Sequence, residues 1–319
     1  MYKKMLSLLL VLPFAAISQP KNDTKMTYVL KNQNIEVQID SPLANYNSSR
    51  FDWTGKIVSV KYKNISVSSV EKLTGQDNTD SGQGFYNEFG IAAAVGYNET
   101  SPGNWFHKIG VGLLKKDSGD YQFYKPYEIQ PANFQVTEKP GKVIIRCKSL
   151  EANGYSYELT KEIELLERGF RIRYHLKNTG EKTISTDEYN HNFTAINHEM
   201  IGVNYRLKFP FTMKPEQIEG NVNPEGKVII GSNEFSFNGT PEKQFFFGNL
   251  TGGQTVDASW ELVNSTTGIG IRETGSFKTN KINLWGWKQV ISPELFFSIN
   301  VEPGREIEWS RTYSIFETK

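Results

Sequence analysis

The sequence predicts an all-β protein, a large antiparallel β-sandwich. Apolar and polar residues alternate with a period of two along many short segments. These segments are rich in Val, Ile, Tyr and Phe, they are bounded by Gly, Asn and Pro, and no stretch sustains a helical period. Residues 19–319 show no internal repeat and no linker rich in Pro, Ser and Gly, so we predict that they form a single domain.

The clearest pair of strands is predicted at 155–165 and 170–176. Glu167-Arg168-Gly169 between them is a short connection containing glycine, which is typical of a β-hairpin. Asn178-Thr-Gly-Glu predicts another turn, followed by a short strand. The remaining predicted strands lie at 35–39, 57–62, 244–249, 258–264, 268–272, 295–301 and 308–316.

One segment breaks the pattern of alternating strands. Residues 74–103 are polar, rich in Gly and Asn, and only weakly periodic. We therefore expect a long loop or lid there, carrying Phe85, Tyr86 and Glu88.

Composition excludes several classes of function. The 36 Lys and Arg are balanced by 35 Asp and Glu, and the net charge of +1 argues against a nucleic-acid partner, which requires a basic face. Cys147 is the only cysteine, so an intramolecular disulfide and a Cys-rich metal site are excluded, and its alternating neighbours predict a core position. No metal site is predicted, and the Asp77-Asn-Thr-Asp-Ser-Gly run in particular lacks the spacing and terminal glutamate of a calcium loop.

Residues 1–18 have the features of a secretory signal peptide. Lys3 and Lys4 precede an apolar stretch that Pro13 interrupts, and Ala16 and Ser18 are the small residues of a cleavage site. The stretch is too short for a stable membrane span, and no cysteine follows it for a lipid anchor. We predict a periplasmic or secreted protein that is not attached to a membrane after cleavage. Several Asn-x-Ser/Thr sequons leave a eukaryotic secreted origin open.

Two of the four histidines are candidates for chemistry. His191 lies in Asp187-Glu-Tyr-Asn-His-Asn-Phe-Thr, where many polar groups follow a strand and must meet a ligand or a hydrogen-bond network. His107 follows Trp105 and Phe106, and a ligand contact and a packing role are equally open for it. His175 and His198 are predicted to lie at the surface or in a loop.

A carboxylate and two tryptophans near the C-terminus are further candidates. Glu294 stands among apolar residues, where burial raises the pKa of a carboxyl group unless a partner holds the charge. Trp285 and Trp287 are two residues apart, so on a strand they share one face. Such a face can stack on a sugar ring, and plain core packing explains it equally well.

These residues carry a resemblance to a known family. Asn190-His-Asn-Phe is similar to the Asn-His-x-Tyr/Phe signature of the aldose 1-epimerase (galactose mutarotase) family. Arg50-Phe-Asp-Trp-Thr-Gly resembles the family's early strand and turn, and Ser292-Pro-Glu-Leu-Phe followed by Pro303-Gly304 resembles its glutamate strand and later turn. The landmarks occur in the family's order along most of the chain.

The resemblance implies a galactose mutarotase-like supersandwich that interconverts sugar anomers without a cofactor. Glu294 would be the general base and His191 the general acid, and a negative Glu294 would favour the protonated imidazole. Arg50 and Asn190 would hold sugar hydroxyl groups.

One further position departs from the family pattern. His107 would also contact the sugar, but it precedes Lys108-Ile-Gly-Val-Gly instead of a Gly-Gly pair, so Lys108 competes with it for that position.

Two other functions stay open at this point. A non-catalytic carbohydrate-binding protein on the same fold is the main alternative, since aromatic residues are abundant and the motifs depart from the family pattern. A polysaccharide lyase is less favoured, because the sequence shows no basic channel for a uronate. The expected partner is a small sugar or an oligosaccharide, and the oligomeric state is left open.

Overall fold

The computed structural model describes residues 25–73 and 80–318. The predicted signal peptide at 1–18 and residues 77–79 of the Asp77 run lie outside the described residues. Within the two ranges the chain forms twenty-four β-strands and one short 3-10 helix, at Pro215–Gln217.

The strands of the first half are β1 Thr27–Lys31, β2 Ile35–Asp40, β3 Lys56–Tyr62, β4 Ile65–Ser66, β5 Phe85–Phe89, β6 Trp105–Lys108, β7 Gly112–Lys115, β8 Ile129–Pro131, β9 Asn133–Lys139, β10 Lys142–Lys148, β11 Tyr157–Leu166 and β12 Gly169–Asn178. Those of the second half are β13 Ile184–Asn192, β14 Tyr205–Lys208, β15 Glu219–Val222, β16 Val228–Ile230, β17 Glu234–Phe237, β18 Phe245–Gly248, β19 Val256–Asn264, β20 Ile269–Thr279, β21 Ile282–Trp287, β22 Val290–Leu295, β23 Phe297–Val301 and β24 Glu306–Glu317.

The strands form four antiparallel sheets. The largest has ten strands in the order β16-β17-β14-β19-β20-β24-β12-β11-β10-β9. A seven-stranded sheet has the order β1-β2-β3-β5-β13-β23 with β4 paired to β3, and smaller sheets are formed by β15-β18-β21-β22 and by β6-β7-β8. The prediction of a large antiparallel all-β fold is confirmed.

The two large sheets pack face to face around an apolar and aromatic core. Phe85 of the seven-stranded sheet lies 5.3 Å from Phe170 and 4.8 Å from Tyr313 of the ten-stranded sheet, measured between ring centroids. Val143, Ile145 and Cys147 are also buried in this core. The apolar residues of the alternating pattern therefore lie on the inner face of the strand, as expected for a sandwich.

The predicted hairpin between β11 and β12 is confirmed. The two strands pair from Tyr157 with Asn178 to Leu166 with Gly169. A Cβ atom on Gly169 would lie 1.9 Å from the carbonyl oxygen of Tyr313 on the next strand. Glycine is required at this hairpin because the neighbouring backbone approaches so closely.

The expectation of a lid over 74–103 is wrong for its central part. Phe85–Phe89 is strand β5, and it pairs with β13 in the interior of the seven-stranded sheet. All five of its residues are buried, so exposed and buried positions do not alternate along the strand. A strand that is covered on both faces gives no period-two signal, and two polar residues within it, Asn87 and Glu88, concealed it further.

Strand β13 has two different buried faces. Glu188, Asn190 and Asn192 point toward the ten-stranded sheet. Tyr189 and His191 point the other way, toward a second aromatic cluster on the outer side of the seven-stranded sheet. The strand therefore links the core to that outer side.

The inward face of β13 is fixed by a buried ionic network. The guanidinium group of Arg311 on β24 donates to Glu188 at 3.1 and 2.8 Å and to Glu273 at 2.7 Å. Trp309 donates to Glu188 at 3.0 Å, and Asn192 donates to Glu273 at 2.9 Å. These charges are paired and hydrogen bonded, which is the condition for burying them, and they fix the position of β13 over β24 and β20 of the facing sheet.

Candidate active site

His191 lies at the end of β13 in an aromatic setting. Its ring stacks on Phe193 with 4.1 Å between centroids and 6° between planes. Trp285 of β21 meets it edge-on at 5.3 Å, and Phe51 does so at 6.0 Å. The aromatic residues fix the plane of the imidazole.

Glu294 lies beside His191 because strand β22 approaches the end of β13. Thr194, just after β13, exchanges backbone hydrogen bonds with Ile291 of β22 at 2.9 and 3.1 Å. The Oε1 atom of Glu294 is 3.3 Å from Nε2 of His191, and each side chain is only 5% exposed. Ser292, two residues before Glu294, places its hydroxyl 2.8 Å from Nδ1 of the same ring. The two residues predicted to be catalytic are therefore in contact.

The protonation of this pair differs from the sequence-based expectation. Burial raises the pKa of Glu294 to about 8, although the nearby positive charge of Arg50 opposes the shift. Burial and Arg50 both lower the pKa of His191, well below its usual value of 6.5. Near neutral pH the proton of the pair thus lies on the carboxyl group of Glu294. The expectation that the imidazole would be the protonated partner is wrong for this state, because desolvation outweighs the attraction between the two charges.

A second carboxylate, Glu88 of β5, organises the cationic side of the site. It is fully buried and accepts hydrogen bonds from Nε of Arg50 at 3.0 Å, from the hydroxyl of Tyr189 at 2.6 Å and from Nζ of Lys108 at 3.3 Å. Sequence reasoning placed Glu88 in a lid and missed this role. The signal that could have found it is the polar pair Asn87-Glu88 between aromatic residues, which demands partners once it is buried.

Arg50 reaches from the loop before β3 to the edge of the site. Its guanidinium group lies 4.5 Å from the ring centroid of Phe51 and 4.6 Å from that of Phe123, so it is held between two aromatic faces. Its side chain keeps 18% of its surface exposed, whereas Glu88 is fully enclosed. Among Arg50, Lys108 and Glu88, Arg50 is therefore the residue that contacts solvent.

His107 and Lys108 are neighbours on β6, and their side chains contact different parts of the molecule. Lys108 joins Glu88 as described. His107 packs against Tyr155 and Tyr157 at 6.3 and 5.9 Å, and its ring lies beside the backbone of Ala152 and Tyr155. Burial lowers the pKa of His107 to about 4, so its ring is neutral. The structure thus brings Lys108, and not His107, to the Glu88 cluster.

The remaining predicted residues are divided between the site and its surroundings. Trp285 contacts His191, as described above. Trp287 packs at the margin of the same aromatic cluster and donates from Nε1 to the carbonyl of Glu242 at 2.9 Å. Asn190 faces the core, where its amide donates to the hydroxyl of Tyr313 at 2.7 Å. Asn190 and His191 are adjacent on one strand and therefore point to opposite faces of the sheet.

Two further observations concern metals and membranes. Across residues 25–73 and 80–318, no group of three or more His, Cys, Asp or Glu side chains is placed to hold a metal ion. In the same part of the chain, none of the helices has the length and apolar character needed to cross a bilayer.

Solved structures with a similar architecture identify the fold. A proposed aldose 1-epimerase from Escherichia coli K12 has a TM-score of 0.59 at 8% identity, and the match covers 91% of this chain and 99% of that one. A galactose mutarotase related enzyme from Lactobacillus acidophilus has a TM-score of 0.55 at 12% identity, covering 92% and 98%. A protein from Synechocystis sp. PCC 6803 has a TM-score of 0.56 at 13% identity, covering 93% and 97%. The fold is galactose mutarotase-like. No family model and no curated protein matches the sequence.

Within this mutarotase-like fold, the site combines two kinds of group. The His191–Glu294 pair holds one exchangeable proton and offers one donor and one acceptor 3.3 Å apart. Arg50 and Lys108, both anchored on Glu88, supply fixed hydrogen-bond donors, and Trp285 supplies an aromatic edge. Such a site can move two protons at neighbouring atoms of a neutral polar ligand.

Proposed function

We propose that the protein is an aldose 1-epimerase-like isomerase, which interconverts the anomers of a free sugar. The observation that supports this most directly is the contact between His191 and Glu294. Mutarotation needs one group to take the proton of the anomeric hydroxyl and another to protonate the ring oxygen. Those two oxygens are bonded to the same carbon, so the two catalytic groups must lie close together.

In the proposed reaction, Glu294 is the base and His191 is the acid. The proton held by the pair first moves across the 3.3 Å contact from Glu294 to Nε2 of His191. The carboxylate then accepts the anomeric hydroxyl proton while the imidazolium protonates the ring oxygen, and the ring opens to the free aldehyde. Rotation about C1–C2 and closure on the other face of the carbonyl give the other anomer. Each positioned proton transfer contributes roughly 10²- to 10⁴-fold in rate.

Residues around the pair are assigned to substrate binding. Arg50 donates hydrogen bonds to sugar hydroxyls, and Glu88 and the enclosed Lys108 hold it in position. Trp285 packs against an apolar part of the sugar ring while it orients His191. No cofactor takes part in this proposal.

The test is NMR exchange spectroscopy on a panel of common aldoses. Faster anomer exchange is expected with the native protein, and it should be lost in Glu294→Gln and in His191→Ala. Glu302→Gln and His198→Ala are matched controls at exposed positions and should keep the native rate. If a folded native protein leaves exchange unchanged across the panel yet binds sugars in calorimetry, the protein is a carbohydrate-binding module and not an isomerase.

We also propose that the chain is exported to the periplasm or secreted, and that 19–319 is the mature single domain. The support is the charged, apolar and small-residue pattern of residues 1–18. Mass spectrometry of the protein from its native cells should find an N-terminus at Gln19. Retention of Met1 in a cytoplasmic fraction would contradict export.

A further inference from the structure

An open groove lies on the same sheet face as the His191–Glu294 pair. It encloses about 660 Å³, within the range of about 300–1,000 Å³ that small-molecule sites occupy. Strands β15, β18 and β21 and the turns beside them form it. Its lining includes the side chains of Glu219, Phe246, Asn249, Lys281 and Asn283.

The groove and the catalytic pair share a wall. Asn283 pairs with Glu294 in the register of β21 and β22, and its side chain hydrogen bonds to that carboxyl group. Phe246 pairs with Trp285, whose ring contacts His191. Residues that pair directly in an antiparallel sheet lie about 5 Å apart on one face. The groove therefore begins next to the pair, on the same face of the sheet.

The floor of the groove offers a partly exposed aromatic ring. Phe246 is half-buried, and Gly220 and Gly248 lie beside its ring, where an added Cβ would be 3.4 and 3.3 Å away. Neither glycine carries a side chain that could lie over the ring. A sugar ring presents C–H groups that pack on such a surface.

The polar groups of the groove balance in charge. Glu219 accepts a hydrogen bond from the amide of Asn249 at 3.0 Å, and Asn283 accepts one from the backbone N–H of Asn249 at 3.0 Å. The charged residues of the lining are Glu219 and Lys281, and the ammonium group of Lys281 lies 4.0 Å from a carboxylate oxygen of Asp187. One charge of each sign favours a neutral ligand with many hydroxyl groups over a phosphate or a uronate.

From this geometry we propose that the groove is a subsite for a second neutral sugar unit, attached to the one that reacts at His191 and Glu294. The substrate is then the reducing end of a disaccharide or longer oligosaccharide, and not a lone monosaccharide. This inference rests on the proposed anomer exchange, and it defines the substrate class for that reaction.

The test compares glucose with maltose, cellobiose and lactose as probes. The native protein should exchange the anomers of at least one disaccharide with a higher kcat/KM than those of glucose. Phe246→Ala should lower kcat/KM for that disaccharide by about fivefold or more, the effect of one lost ring contact, while glucose changes less than twofold. Glu219→Ala should act in the same direction without removing an aromatic residue. Phe316→Ala, a half-buried aromatic position on β24, is the matched control and should leave the ratio unchanged.

Failure of the subsite is distinguishable from failure of the enzyme. Equal rates for glucose and all three disaccharides, or equal losses for both substrate classes in Phe246→Ala and Glu219→Ala, would overturn the subsite and leave the isomerase standing. If no sugar is exchanged, calorimetric binding of the same probes decides. Tighter binding of a disaccharide that Phe246→Ala removes supports the subsite, and binding that does not distinguish glucose from the disaccharides overturns it.

Discussion

Glu294→Gln replaces the buried carboxyl group with an amide that does not titrate. The free energy of unfolding of this variant, minus that of the native chain, is expected to increase as the pH rises. The pKa of Glu294 is about 8 in the folded protein, because the group is buried, against an ordinary value of 4.5. Between these values the folded chain keeps a proton that the unfolded chain has lost. Stability therefore falls as the pH rises through this interval, and the loss is complete above the folded pKa.

His191 limits the interval in which this loss is visible. Its pKa lies well below 6.5 in the folded protein because of burial and Arg50, so below pH 6.5 the unfolded chain gains a proton that the folded chain does not. The two effects oppose each other between pH 4.5 and 6.5. Of these two residues only Glu294 acts between pH 6.5 and 9, where one proton at 1.36 kcal/mol per pH unit up to pH 8 amounts to about 2 kcal/mol.

The assay is urea denaturation followed by tryptophan fluorescence, for the native chain and Glu294→Gln at pH 6.5 and 9. The free energy of unfolding of the variant minus that of the native chain should rise by about 2 kcal/mol between the two pH values. Subtraction cancels every other titrating group, and Glu302→Gln on an exposed turn should show a constant difference. A difference that stays constant or falls with pH would refute the reasoning, since it would mean that Glu294 is held as a carboxylate by Arg50.

Three further outcomes are expected. Because the pair needs its proton, kcat/KM for anomer exchange should fall about tenfold per pH unit above about pH 8, the pKa of Glu294, in a pH profile measured by NMR. Ser292→Ala removes the partner of Nδ1 of His191, so the exchange rate should fall about fivefold to tenfold while circular dichroism stays native. Arg311→Met leaves Glu188 and Glu273 buried without their cation, and urea denaturation should show a loss of about 3–5 kcal/mol or failure to fold; a loss under 1 kcal/mol would contradict the role of the network.

Strands covered by the core on one face could be predicted from the sequence, and those covered on both faces could not. The hairpin between β11 and β12 was visible because each strand alternates around a short turn with glycine. Strand β5 was not, because burial on both faces removes the alternation. Local composition cannot distinguish such a strand from a polar loop when its polar residues find partners far away, as Glu88 does with Tyr189, 101 residues later.

The two central residues of the candidate site could be predicted from the sequence, but their protonation states could not. His191 and Glu294 stood out as polar groups in apolar surroundings, and the structure brings them into contact. Their pKa values depend on complete burial and on Arg50, neither of which the sequence reveals. Alternation along a strand places Asn190 opposite to His191, and Lys108 opposite to His107, so the sequence determines that part of the arrangement.

The two faces of β13 make assembly of the site inseparable from burial of the core charges. A slip of one residue in this strand would turn His191 toward the ten-stranded sheet and turn Glu188 away from Arg311. Such a chain would leave Glu273 as the one partner of the Arg311 network and would bury Glu188 away from its cation, at a cost of about 3–5 kcal/mol out of the 5–15 kcal/mol that stabilise a typical domain. Misregistered molecules are thereby removed by unfolding, without any check on the site itself. A preparation of this protein should accordingly contain molecules with a complete site and unfolded molecules, with no stable folded fraction in which the His191–Glu294 contact is missing.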